Sequence, residues 1–178
     1  MKLSNDVLNL LEKLDATTYN HSYRLWEMAM GVEEHFHIKD DVLSTAALVH
    51  DIGKLYIPKI ILDKRGGLDA LEREVIDLHS YYGYRILEMH GVDEMVRRIV
   101  LYHHGMDPKV LAVMPEFDDS KVAERAMMLH TLDVFEALTT DRPYKRRMSV
   151  ERACVWMEKE PGYHAETLAY LRNDRKDF

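Results

Sequence analysis

His50-Asp51-Ile52-Gly53-Lys54 is the stretch whose reading decides the fold and the chemistry of this chain. It follows Ala46-Ala47-Leu48-Val49, an apolar run that reads as the buried end of a short helix. A His, an Asp and a Lys therefore arrive where the pattern promises core. Unpaired buried charges are costly, so such groups are paired or bound to metal. An imidazole beside a carboxylate is a reasonable start to a metal site. A carboxylate has two oxygens and can bridge two cations, whereas an imidazole nitrogen serves one. Asp51 is thus the candidate centre of a two-metal site. Taken alone, a His-Asp pair is more often a satisfied core hydrogen bond than a ligand pair, so the rest of the chain has to decide.

The 178 residues suit one domain, 1–178, with one sizeable core. A hydrophobic share of 47% and a charged share of 31% are ordinary for a globular chain. The net charge of -7 argues against a nucleic-acid backbone or an anionic membrane as the main partner. A single cysteine, Cys154, excludes an internal disulfide and a cysteine-rich zinc site. With no signal peptide and no apolar run of bilayer-spanning length, the expected location is cytoplasmic. Ten histidines are many for this length, and several fall on apolar faces.

Helical period runs through the chain, and no strand alternation interrupts it. Ser4 or Asn5 caps a first helix ending near Leu14, and Asp15 or Thr17 caps a second reaching about His37. The second carries an inward stripe of His21, Leu25, Met28 and Val32. Asp40 caps a helix over 41–50, Gly53 breaks it, and Pro58 opens a short turn. A long helix over 69–89 aligns Val75, His79, Tyr82 and Ile86. Asp93 starts another, with Val96, Ile99, Val100 and His103 inward. Residues 105–119 read as a loop. Ser120 begins a helix to about Thr139 with Val122, Ala126, Leu129, Asp133 and Ala137 on one face. A turn at 141–144 and two further helices, 150–159 and 165–172, complete an all-α bundle of about seven or eight helices.

Polar residues now stand out on the apolar stripes. His21, His50, His79, His103 and Asp133 each take an inward position on a different helix, with Asp51 and His104 beside two of them. Several imidazoles in one core are not cheaply satisfied without a shared cation or carboxylate. Histidine and aspartate without thiolate suit iron, manganese, zinc, nickel or cobalt. His130 reads as core, His35 and His37 as surface, and Met127, Met128 and Trp156 as packing.

The order His50-Asp51, His79, His103-His104, Asp133 resembles the HD superfamily of metal-dependent phosphohydrolases, and within it the HD-GYP group. His21-Ser22-Tyr23-Arg24 is similar to that group's opening motif. HDIGKLYIPKIILDKRGGL resembles its central segment, and Glu72, His79 and Gly83 fit its Glu...His-x-x-x-Gly helix. Asp133-Val134-Phe135-Glu136-Ala137-Leu138-Thr139, then Arg142-Pro143-Tyr144-Lys145, fits the last motif. The resemblance covers about residues 20 to 147 and implies an HD-domain helical bundle. It also implies one metal held by His21, His50, Asp51 and Asp133, and another by Asp51, His79, His103 and His104. Two such cations supply hydroxide at neutral pH for in-line attack on phosphorus. Asp51 and Lys54 would be the catalytic residues, Lys54 neutralising charge that grows on the phosphoryl oxygens. Lys54, Arg142 and Lys145 would grip substrate phosphate. For Arg142 and Lys145 the competing reading is a solvated charge run with Arg146 and Arg147.

The sequence departs from the group at three places. Gly105 and Met106-Asp107-Pro108-Lys109-Val110 stand where the Gly-Tyr-Pro signature belongs, which puts action on cyclic di-GMP in doubt. Glu136 replaces a second Asp. Thr17 stands where some relatives carry a Glu for a third metal, so two divalent ions are expected, iron or manganese first and zinc, nickel or cobalt next. The implied function is hydrolysis of a small phosphoester, a nucleotide or a cyclic dinucleotide, with a homodimer or a regulatory protein as the open partner classes. The alternatives are a non-catalytic nucleotide-sensing module, which the lost Gly-Tyr-Pro favours, and a di-iron oxygenase, which Lys54 and the Arg-Pro-Tyr-Lys segment disfavour.

Overall fold

The computed structural model describes residues 3–64, 66–105, 120–141 and 146–174. Among them the chain forms α1 (Asn5–Leu11), α2 (Ala16–His35), α3 (Val42–Val49), a 3-10 turn (Ile52–Tyr56), α4 (Lys59–Leu62), α5 (Ala70–Asp77), α6 (His79–Met89), α7 (Glu94–Tyr102), α8 (Ser120–Thr139), α9 (Val150–Met157) and α10 (Ala165–Asp174). No strand occurs among these residues. The expected all-α bundle is what forms.

Side-chain caps at the N-cap residue start five of the helices, as their sequence implies. Ser4 accepts from the Val7 amide, Asp15 from those of Thr17 and Thr18, Asp93 from Met95 and Ser149 from Arg152. Asp69 and Glu72 form a reciprocal capping box at α5. At the start of α3 the expected Asp40 cap forms, with a second carboxylate beside it. Asp41 occupies the cap position in the left-handed region, φ 53°, and its side chain caps nothing. Asp40 accepts from Val42 N, as its sequence implies, and Glu33 reaches across from α2 to accept from Ser44 N at 3.0 Å. Glu33 is buried, so α2 supplies a carboxylate where the positive end of α3 needs one.

Other expectations are corrected or refined. The helix read over 69–89 is two, broken at Leu78. None of α5 is buried, whereas α6 buries His79, Gly83, Ile86 and Leu87, so the two segments follow different surfaces. The turn after Pro58 closes as one helical turn, α4. Met127 and Trp156 are exposed at 41% and 43%, so neither is the packing residue its sequence suggested, while Met128 is buried. His35 and His37 lie on the surface as expected. Residues 106–119 and 142–145, read from sequence as a loop and a turn and including Arg142 and Lys145, lie outside the described residues.

The core is lined by Leu25 of α2, Leu43 of α3, Ile52 of the turn, Leu87 of α6, Ile99 of α7 and Leu129 and Leu132 of α8, all fully buried. Burying a side chain of this size stabilises by roughly 1.5–3 kcal/mol. One backbone contact positions the functional residues. A Cβ on Gly53 would lie 1.9 Å from the carbonyl oxygen of His79 and 2.5 Å from the amide nitrogen of Gly83. Only glycine lets the 3-10 turn press directly onto α6, and that contact brings Asp51 to His79.

Candidate metal centre

Five helix ends and faces converge on one polar pocket in the core. α2 contributes His21, the end of α3 His50, the start of α6 His79, the end of α7 His103 and His104, and α8 Asp133. Two groups form. His21, His50 and Asp133 place one ligand atom each within 4.8 Å of one another, and so do His79, His103 and His104. Asp51 stands between them. Its Oδ2 is 3.4 Å from His50 Nε2, and its Oδ1 is 3.5 Å from His79 Nε2. One carboxylate thus offers one oxygen to each group. Asp133 Oδ1 lies 3.0 Å from His21 Nε2.

Helix termini fix the imidazoles. His50 Nδ1 donates to Ala47 O at 2.8 Å, His79 Nδ1 to Ile76 O at 2.6 Å and His103 Nδ1 to Val100 O at 2.6 Å. In each case the acceptor is the carbonyl three residues earlier, at or near a helix end, where carbonyls have acceptor capacity to spare. With the proton on Nδ1, the lone pair of Nε2 faces the pocket. His79 Nε2 then lies 3.4 Å from His103 Nε2 and 3.2 Å from His104 Nε2. With Nε2 of His79 and of His103 both bare, no proton is available to join that pair. His50 Nε2 is buried and makes no hydrogen bond. Converging lone pairs of this kind fit a cation, and the all-nitrogen-and-oxygen donor set fits a divalent transition metal.

The electrostatics agree. Burial pushes His50, His103 and His104 below the usual histidine range, and pushes His79 down to about 4. These rings are neutral at pH 7, as ligands must be. Burial alone would raise Asp51, but electrostatic interaction with His50, Lys54 and His79, the Lys54 ammonium being the standing charge, holds it well below the usual carboxylate range. Burial opposes charge on His21 as well, yet hydrogen bonds to Asp133 and Glu136 raise it to about 9. Lys54 Nζ sits 2.6 Å from Asp51 Oδ2, so an ammonium lies against the carboxylate oxygen that faces His50.

Two residues quoted in the motifs, but given no role from sequence, prove part of the site. Glu136 Oε2 accepts from His21 Nδ1 at 2.6 Å, and its Oε1 takes Arg24 Nε and Nη2 at 2.7 and 2.6 Å. Their spacing was the available signal: Arg24 is one turn after His21, and Glu136 one turn after Asp133. His130, read as core, is half-buried and lines a second cavity of about 310 Å³ with His103, His104, Ala126 and Met127. The cleft over the two ligand groups, about 410 Å³, is lined by His21, Arg24, Asp51, Lys54, His79 and Asp133 among others.

An all-α bundle with two facing ligand groups and a shared aspartate defines a binuclear type of candidate site. The chain belongs to the HD domain family, whose model matches residues 18–155, and it is HD-GYP-like. HD phosphohydrolases are metal-dependent. The chain is 33% identical over 118 residues to 3'3'-cGAMP-specific phosphodiesterase 3 of Vibrio cholerae, an alignment covering 66% of this chain and 25% of that protein. It is 30% identical to a cyclic di-GMP phosphodiesterase of Pseudomonas aeruginosa over 89% of this chain and 40% of the relative. For a cyclic di-GMP phosphodiesterase of Thermotoga maritima the identity is 28%, over 96% and 49%. The chain thus spans between a quarter and about half of these relatives. The crystal structure of the HD domain of the Listeria monocytogenes phosphodiesterase PgpH shares the fold, with a TM-score of 0.67 at 14% identity, covering 96% of this chain and 95% of that one. Among the described residues no helix is long and apolar enough to cross a membrane.

Proposed function

We propose that this chain is a metal-dependent phosphodiesterase domain acting on a nucleotide, with cyclic dinucleotides as the foremost substrate class. The observation that carries the reading is Asp51, with one oxygen toward each imidazole group and with neutral Nε2 lone pairs on both sides. The named activities of the Vibrio, Pseudomonas and Thermotoga relatives support the substrate class. Two divalent transition-metal ions, with iron or manganese as first choices, would be held by His21, His50, Asp51 and Asp133 and by Asp51, His79, His103 and His104. When bound, they acidify water and polarise the phosphoryl group.

The protein's own groups do the rest. The carbonyls of Ala47, Ile76 and Val100 keep three rings in the tautomer that presents Nε2. Lys54, one-quarter exposed on the cleft, neutralises charge growing on the phosphoryl oxygens. Arg24, 40% exposed at the cleft wall, adds positive potential where an anionic substrate enters. Arg142 and Lys145 are assigned to a second phosphate on the motif resemblance. We place the domain in the cytoplasm as one unit over 1–178, with a homodimer or a regulatory protein as the open partner classes.

The test loads the protein with iron or manganese under reducing conditions. It then assays cyclic di-GMP, 3'3'-cGAMP and bis(p-nitrophenyl) phosphate beside Asp51→Asn. Hydrolysis of at least one diester, abolished in the variant, supports the proposal. Binding of a cyclic dinucleotide without turnover of any ester would replace it with a sensing module.

A further inference from the structure

We infer that Glu136 and Arg24 form a positioning pair that fixes the protonation of His21, so that substitution at Glu136 selectively weakens one of the two metal positions. The inference rests on the binuclear reading above. Every other buried ligand imidazole in the cage takes its orientation from a backbone carbonyl, as described for His50, His79 and His103. His21 lies inside α2, where the preceding carbonyls are used by the helix itself. Its Nδ1 needs an acceptor from elsewhere, and α8 supplies it as Glu136 Oε2 at 2.6 Å.

Arg24 decides which way that acceptor is read. Its Nε and Nη2 both lie on Oε1, at 2.7 and 2.6 Å, so the guanidinium claims one carboxylate oxygen and leaves the other to His21. Glu136 is 2% exposed and cannot turn to water. A carboxylate has no proton to donate, so both oxygens only accept. The geometry therefore requires a proton on His21 Nδ1, and when a cation is present Nε2 is the nitrogen free for it. Carboxylate-supported ligand histidines of this kind are a general means of fixing the ring and raising its basicity.

Glu136→Gln tests the pair almost without change of shape. A glutamine has one acceptor oxygen and one amide group. The Arg24 cation attracts the oxygen, which turns the NH2 toward His21 Nδ1. Nδ1 must then accept, and the ring proton moves to Nε2, where it blocks a metal. His79 and His103 take their orientation from the Ile76 and Val100 carbonyls rather than from Glu136, so their group should keep its ion.

The experiment is a metal-binding titration of the full chain with zinc, read by competition with a chromophoric chelator, for wild type, Glu136→Gln and Arg24→Gln. A zinc-loaded, 15N-histidine-labelled sample supplies the His21 ring pattern. The expected wild type binds two ions and shows an Nδ1 proton on His21. Glu136→Gln is expected to bind one ion with wild-type affinity and the other about ten- to a hundredfold more weakly. Arg24→Gln, which leaves the Glu136 carboxylate to accept from His21, is expected to bind both ions with most of the wild-type affinity. Two ions bound by Glu136→Gln at wild-type affinity would overturn the inference, as would a zinc-loaded wild type with no Nδ1 proton on His21. Equal weakening of both ions would also overturn it. A wild type that binds no metal would instead sink the binuclear reading on which the inference rests.

Discussion

Replacing Gly53 by alanine should damage both stability and metal content, because two backbones meet there. The added Cβ would start 1.9 Å from His79 O and 2.5 Å from Gly83 N, against a floor near 3.0 Å for real contacts. The turn and α6 must therefore separate by about 1 Å, and neither partner atom is the end of a flexible side chain. Overpacking of this kind costs about 1–3 kcal/mol, and a clash between backbones belongs at or above the top of that range. For a domain of this length about 3 kcal/mol lowers Tm by roughly 6–12 °C. The same displacement carries Asp51 Oδ1 away from His79 Nε2, now 3.5 Å apart, and so opens the bridge between the two ligand groups. Thermal melts and metal analysis of Gly53→Ala check both effects. Gly67→Ala serves as the control, since a Cβ there meets nothing within 4 Å. A Gly53→Ala protein with unchanged Tm and full metal content would refute the argument that this contact holds the site together.

Asp51→Asn should lower phosphodiester turnover by at least about a hundredfold and cost one ion of two in metal analysis, since an amide bridges cations poorly; wild-type turnover would exclude Asp51 as the bridge. Lys54→Met should keep both ions and lose turnover, measured on the same samples. In chelator, stability should peak near pH 6.5–7. His79 titrates at about 4 when folded, so its contribution of up to about 3 kcal/mol is complete above 6.5 and is lost as pH falls toward 4. His21 titrates at about 9 when folded, so its contribution is complete below 6.5 and is lost as pH rises through 9. A melting temperature flat from pH 4 to 9 would contradict both signs. Cyclic di-GMP should be cleaved more slowly than by relatives with an intact Gly-Tyr-Pro segment, which parallel assays can check; equal rates would show that the segment is dispensable.

Much of the candidate site was legible because its candidate ligands break a pattern. His21, His79, His103 and Asp133 sit at positions where helical period demands apolar residues, and His50-Asp51 ends an apolar run. Their convergence came from the resemblance rather than from period, which places a residue on a face but does not say which faces meet. The break at Leu78 was not legible, since Leu78 is itself a good helix former and the split depends on where α5 and α6 find surface to pack against. The capping of α3 by Glu33 was likewise hidden, because the acceptor comes from another helix. Glu136 and Arg24 were read as motif letters; their joint hold on His21 appears only when α2 and α8 lie side by side.

The most direct test of the account is an anomalous-scattering map from crystals grown with iron or manganese and collected at that metal's edge. Two peaks flanking Asp51 are predicted, one beside His21, His50 and Asp133 and one beside His79, His103 and His104. A map from well-folded protein with no peak at Asp51 would contradict the claim that these residues form a binuclear metal centre.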